Sequence, residues 1–224
     1  MNPAAALQSA AEDFLESLEQ SPGAAQAELI NFLLRSCGCN ESVDADEVLD
    51  YDGVVDALDT FTEGLKQVTF NPLFSEAFYL FRNQDNSPVY PLTSKLPIFK
   101  KFRRSLSEFI ERLIASSAEL GVLYSSDLMA TLQTWVVAMS SSQIRSFRHT
   151  ATVVALEVET ALCDVAAAVE KEAEVVGRER EGEKKRKASN KAGGVRDKEL
   201  ASKAQEIRER RTQLAEFLKE FVDG

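Results

Sequence analysis

Apolar residues along this chain recur at intervals of three and four, the helical period, and no region sustains the alternation of a strand. Phe14, Leu15 and Leu18 mark one face of residues 4–20. Leu29, Ile30, Phe32, Leu33 and Leu34 give residues 24–37 a broader apolar surface, and Ser21-Pro22-Gly23 separates the two helices. Residues 44–66 read as an acidic helix with Gly53 and Gly64 as weak points. A short aromatic segment (Phe70, Phe74, Phe78, Tyr79, Phe81) and a polar loop over 82–88 come next.

Three further helices are expected. The first opens near Pro97, a residue suited to the first helical position, and carries the stripe Phe99, Phe102, Leu106, Phe109, Ile110, Leu113 and Ile114. Lys100, Lys101, Arg104 and Arg112 fall opposite that stripe, with Arg103 at its border. The second runs from about Asp127 to Met139, capped by Ser125 or Ser126, with Leu132, Trp135 and Met139 in the core. Ser140 and Gln143 have the spacing of a capping box and predict that the third helix starts there. Its residues Val153, Val154, Leu156, Val158, Leu162 and Val165 lie on nearly every side, which predicts burial among several neighbours.

From Glu170 to about Lys187 the same helix turns polar and charged. After a loop over 188–194, a second charged helix spans roughly 196–222, held at its base by Ile207, Leu214, Phe217 and Leu218. The pattern predicts an all-α fold: an antiparallel helical, HEAT-like solenoid segment over residues 1–169, and a projecting long helical hairpin over 170–224 continuous with it. Ten Gly and six Pro in 224 residues fit long helices with short connections.

The net charge of −10 conceals an asymmetry. Residues 1–94 hold three basic and sixteen acidic residues, a balance of −13, while the remainder holds 23 and 20. Such a split points to a nucleic-acid or acidic partner for the second part, against the plainer reading of ordinary solvated charge. Three cysteines, Cys37, Cys39 and Cys163, are an odd count that suggests a reducing compartment. Cys37-Gly38-Cys39 lacks the spacing and second pair of a zinc site and reads as a helix end with Gly38 near the C-cap. No apolar run approaches the roughly 20 residues that span a bilayer, so no membrane is expected as partner.

Enzyme readings fail for want of parts. The sequence has no phosphate-cradling Gly loop, no paired metal ligands, and one histidine with no nucleophile in a recognisable setting, so neither catalysis, a metal nor a cofactor is expected.

The candidate chemistry lies in two helix starts that break the electrostatic rule. Helix N-termini carry partial positive charge and favour acids. The helix after Pro97 opens with Lys100, Lys101, Arg103 and Arg104, with Lys95 just before it, and meets its first acid at Glu108. The helix after Ser140 opens with Arg145, Arg148 and His149 and has no acid before Glu157. In an antiparallel stack the first and third helices point the same way, so both basic ends share one edge, suited to phosphates. The alternatives are that Lys100–Arg104 is a solvated face, and that Arg145 and Arg148 pair with acids of a neighbouring helix or of the first half. His149 reads as a buried hydrogen-bonding group. For Lys184-Lys185-Arg186-Lys187 three uses stand open: nuclear import signal, DNA contact or solvated tip.

The run Ser141-Ser142-Gln143-Ile144-Arg145-Ser146-Phe147-Arg148-His149-Thr150-Ala151-Thr152 resembles the amino-terminal region of the STAG/stromalin family, the helical-repeat subunit of cohesin. Tyr90-Pro91-Leu92-Thr93, Lys100-Lys101-Phe102-Arg103 and Glu108-Phe109-Ile110 are similar too, with a weaker likeness at Leu29-Ile30-Asn31-Phe32 and Gly38-Cys39. Members are much longer, so the resemblance implies an amino-terminal part without the main solenoid and kleisin-binding surface. It implies non-enzymatic binding of double-stranded DNA through its phosphate backbone, support of cohesin loading and sister-chromatid cohesion, and a place in the nucleus on chromatin. Its implied partners are the kleisin subunit and the SMC ring through the full-length protein. The family's basic helix start maps to Lys100, Lys101 and Arg103, with Arg104 as a local extension. A protein–protein adaptor docking chromatin or cohesin regulators, with DNA contact incidental, is the competing reading.

Overall fold

The computed structural model describes residues 3–70, 90–189 and 195–223, and among them every regular element is a helix. The helices are α1 (Pro3–Gln20), α2 (Pro22–Ser36), α3 (Val54–Phe70), α4 (Phe102–Glu119), α5 (Val122–Ser125), α6 (Leu128–Ser140), α7 (Arg145–Ser189) and α8 (Val195–Asp223). Two 3-10 turns, Glu47–Leu49 and Pro97–Phe99, punctuate the long connections. Of the expected aromatic segment, Phe70 ends α3, and the rest of it lies outside the described residues with the polar loop over 82–88.

One continuous core unites the elements: Leu15, Ile30, Leu33 and Leu34 meet Leu106, Leu113 and Ile114, then Trp135, Phe147, Val158 and Leu162. α1 lies antiparallel to α4. Gln8, near the start of α1, accepts a hydrogen bond from Arg112 Nη1 (3.1 Å), while Ser17, near its end, shares a groove with Phe102 at the start of α4. α2 ends as expected. Gly38 takes φ 80°, which admits glycine without strain, and the Cys39 N–H donates to the Leu34 carbonyl at 3.0 Å. The chain after it is clamped by Asn31, whose amide exchanges two hydrogen bonds with the backbone of Val43 (2.7 and 2.8 Å).

Several local expectations are corrected. Residues 44–66 do not form one helix. Asp44 Oδ1 accepts from the N–H groups of Asp46 and Glu47 (2.9 Å each), a local turn that competes with helix, and α3 begins only after Gly53. The turn is pinned from outside by Trp135 Nε1, which donates to the Val48 carbonyl at 3.1 Å. α6 starts with Asp127 at its N-cap rather than a capping serine, although the Leu128 N–H does donate to Ser126 Oγ at 3.4 Å. The Ser140–Gln143 capping box does not form: Ser140 ends α6 with its hydroxyl donating to the Val137 carbonyl (2.7 Å), and α7 starts at Arg145. The physical reason is that Ser140 is still within reach of the preceding helix, and back-bonding there satisfies its hydroxyl.

Burial also differs from the pattern. α7 is not enclosed all round, since Leu156 is 57% exposed on a face that also carries the exposed Cys163. Phe109 is half-buried against Phe32, and Arg112 is drawn onto α1 and Glu108 instead of lying free on a basic face. The hairpin follows expectation. α7 runs unbroken through 45 residues, and α8 returns along it with Ile207, Leu214 and Phe221 in the core. Glu172 pairs with Lys203 (3.5 Å) and Arg210 (3.2 Å), and Glu170 with Arg211 (2.7 Å).

Candidate nucleic-acid interface

The site is built on the relation between α4 and α7. Ser107 Oγ donates to Glu157 Oε1 at 2.7 Å, and further along Ala115 and Ala118 line a cleft of ≈ 310 Å³ with Ala161, Asp164 and Ala168. Both sets of positions ascend together, so the two helices run parallel with a register offset of about one α4 residue to the α7 residue fifty further on. Their N-terminal ends therefore lie at one end of the molecule. By this register α7 overhangs the start of α4 by about 10 Å, at 1.5 Å per residue.

Tyr90 sits between these two starts. Its hydroxyl lies 2.7 Å from His149 Nδ1 and 3.2 Å from Thr150 Oγ1, and its ring meets the imidazole edge-on with centroids 5.8 Å apart. Burial pushes the Tyr90 phenol up from its ordinary value, the Thr150 hydrogen bond opposes that rise, and the Arg103 and Arg145 guanidinium groups oppose it too. Arg103 belongs to the first turn of α4 and Arg145 to that of α7. Thr150 is fully buried, and Cys37 at the end of α2 is buried too, its Sγ donating to the Leu33 carbonyl at 3.3 Å. Burial pushes that thiol up to about 12, which makes it a structural group rather than a reactive one.

Each predicted cation can now be placed. Lys100 and Lys101 precede α4, Lys101 as its N-cap residue, while Arg103 and Arg104 stand in its first turn; all four are exposed. Lys95 is exposed just upstream. Arg145 is the first residue of α7, exposed, and makes no ion pair with an acid among the described residues. Arg148 is also exposed but is engaged: Nη1 donates to the carbonyls of Ser142 (2.7 Å) and Gln143 (2.9 Å). It braces the turn between α6 and α7, a use that neither alternative for this arginine had foreseen. His149 is half-buried and hydrogen-bonded with Tyr90, the structural use expected of it.

The second basic run lies elsewhere. Lys184 and Lys185 are exposed near the far end of α7, about 58 Å along the helix from Arg145 at 1.5 Å per residue. The side chains of Arg186 and Lys187 lie outside the described ones. The structure does not bring this run to the edge formed by α4 and α7.

Two parts of the site escaped the sequence. The bridge from Tyr90 to His149 and Thr150 joins residues some sixty positions apart, and no local pattern in the sequence signals it. The apolar Ile98, which follows the expected helix start at Pro97, stands out on a 3-10 turn instead. Among the described residues no group of three or more His, Cys, Asp or Glu side chains is placed to hold a metal ion, and no helix is long and apolar enough to cross a membrane.

Comparison with known proteins bears on the whole chain. Residues 88–199, half of it, match the model of the STAG domain. Cohesin subunit psc3 of Schizosaccharomyces pombe is 30% identical over 200 residues, covering 89% of this chain and 19% of the relative. Cohesin subunit SA-1 of Xenopus laevis is 29% identical, covering 98% of this chain and 16% of the relative. Among solved structures, cohesin subunit Scc3 from Z. rouxii superposes with a TM-score of 0.74 at 22% identity, covering 97% of this chain and 23% of that one. The chain thus spans about a fifth of the length of these relatives and has the helical fold of that solenoid protein.

Proposed function

The chain belongs to the STAG-domain family, and from that premise we propose that it is a non-enzymatic cohesin-subunit region that grips double-stranded DNA by its phosphate backbone. In this reading residues 1–169 form the helical-repeat body and residues 170–224 a hairpin continuous with it. Lys100, Lys101, Arg103, Arg104 and Arg145 supply the phosphate contacts, and Arg148 contributes charge while bracing the turn that presents Arg145. Lys95 extends the surface upstream. Through the rest of a longer protein, the kleisin and the SMC ring would be brought to the same DNA, supporting cohesin loading and sister-chromatid cohesion on chromatin in the nucleus.

The observation that carries this reading is the parallel run of α4 and α7, which sets the exposed cations of both first turns, Arg103 and Arg145 among them, at one end of the molecule. Helix N-termini are positive by themselves, so cations added there raise the local field further, a cost that an anionic ligand reverses. On a chain of net charge −10, such a field is local and orients a polyanion to that edge. The contacts fall on phosphates and carry no base information.

The test is a salt titration of DNA binding by the whole chain. The logarithm of affinity should fall linearly with the logarithm of salt, by about 0.9 per phosphate contact. Replacing Lys100 and Lys101 with Glu should flatten that slope and weaken binding. A wild-type affinity insensitive to salt overturns the proposal.

A second reading, an adaptor for chromatin or cohesin regulators, is favoured by one feature: an open apolar groove of ≈ 600 Å³ between α1, α2 and α4, floored by Phe32, Phe102 and Phe109. If that groove is the working surface, neutralising Lys100 and Lys101 leaves partner binding intact.

A further inference from the structure

Among the described residues Ile98 is the most exposed large apolar side chain, at 81%, and Leu96 beside it stands at 48%. Both lie on the 3-10 turn at Pro97–Phe99 or at its edge. The turn is stiff: the Phe99 N–H donates to the Leu96 carbonyl at 3.0 Å, Pro97 fixes its own φ, and Phe99 packs edge-on against Phe102 with centroids 6.1 Å apart. Ile98, being β-branched, is stiff at χ1 as well. Single exposed aliphatics are ordinary on protein surfaces. This one has cations close to it in the chain: Lys95 precedes the turn, Lys100 and Lys101 follow it, and all three are exposed.

We propose that the Leu96–Ile98 tip is a wedge that enters the minor groove and parts a base step, while Lys95, Lys100 and Lys101 hold the flanking phosphates. The inference rests on the DNA-binding reading above and extends it from gripping the backbone to deforming the duplex. The minor groove presents no thymine methyl, so an apolar side chain entering it finds apolar surface between bases, and proteins that bend DNA insert Leu, Ile or Phe there. The cost of unstacking is least at pyrimidine–purine steps, so the preference created is for a flexible step rather than a base sequence. A bilayer is the other anionic surface with an apolar interior. Two aliphatic side chains bury too little area to hold a protein on it, since even one myristoyl chain binds marginally.

The experiment uses the whole chain and a duplex carrying 2-aminopurine beside a central TpA step, with a fluorophore pair at its ends. Wild type should raise 2-aminopurine fluorescence and shorten the end-to-end distance. Ile98→Ser should abolish both signals and weaken binding about tenfold, the cost of losing one buried aliphatic contact. Its salt slope should stay that of wild type, because no phosphate contact is removed. Ile98→Leu should retain both signals. The melting temperature of each variant should match wild type, given how exposed the position is. Wild-type bending and affinity in Ile98→Ser overturn the wedge while leaving backbone binding in place. Absence of salt-dependent DNA binding by wild type overturns both readings together. Loss of binding to phosphatidylserine vesicles in Ile98→Ser, with DNA behaviour unchanged, assigns the tip to a lipid surface instead.

Discussion

The phenol oxygen of Tyr90 and Nδ1 of His149 lie 2.7 Å apart, across 59 positions of sequence, and the same oxygen reaches Thr150 Oγ1 at 3.2 Å. That contact ties the segment leading into α4 to the first turns of α7, adding to the α4–α7 packing that already sets the two basic helix starts. Replacing Tyr90 with Phe keeps the ring but removes the hydroxyl. Stability should fall by about 1–2 kcal/mol, the usual cost of leaving half-buried hydrogen-bonding groups unpaired. Thermal unfolding measures the loss. DNA affinity per folded molecule should change little, because every cation remains.

The two α7 arginines should separate cleanly. Arg145→Glu places an acid at a positive helix end, so the melting temperature should hold or rise, by a contribution of about 0.3–1 kcal/mol, while DNA binding weakens. Arg148→Ala releases the carbonyls of Ser142 and Gln143 and should lower stability by about 1–2 kcal/mol. Paired melting and DNA titrations on both variants decide the assignment. A large stability loss in Arg145→Glu would show that this residue serves the fold.

Two phenylalanines, one on α4 and one on α7, should behave differently. Phe147 is fully buried, and Phe147→Ala should cost about 3–5 kcal/mol. Phe109 faces the open groove beside Phe32, so Phe109→Ala should cost no more than about 2 kcal/mol. Denaturant midpoints at unchanged m-value give both figures.

Alkaline pH should unfold the protein partly through Cys37. Its thiol is pushed from an ordinary value of 9.0 up to about 12 by burial, so above pH 9 the unfolded chain loses this proton while the folded chain keeps it. The stabilisation is fully present below pH 9 and disappears as pH rises toward 12, amounting to about 4 kcal/mol if the whole interval is realised. Tyr90 and Tyr124, whose phenols burial also raises, act in the same direction above their ordinary value of 10.0. Cys37→Ala should show a flatter decline between pH 9 and 12 than wild type. Parallel curves for the two would remove Cys37 from the account.

What the sequence determined by itself was everything carried by local periodicity and local chemistry. α1, α2, the long hairpin and the helical class were legible because apolar spacing, Pro22 and Gly38 act within a few residues of themselves. The cations at the two helix starts were legible for the same reason, since a missing acid in a first turn is a local anomaly. Their sharing of one end was deduced from alternating helix directions, and the parallel run of α4 and α7 agrees with it.

Only the tertiary structure decided the rest. The serine expected to open α7 was captured by the helix before it, and Phe109, on the same stripe as Leu106, was left on a groove because α1 and α2 do not close over it. Arg148 found carbonyls, where sequence offered only phosphates or acids. Ile98, already off the apolar stripe that holds Phe99, stands on a 3-10 turn where the sequence placed the opening of a helix. For Phe109 the deciding neighbours are α1 and α2, far along the chain; Ser140, Arg148 and Ile98 are decided within a few residues, by turn and helix-end contacts that a helical period does not encode. A helical period states which residues share a face; which faces are covered depends on the packing of elements distant in sequence.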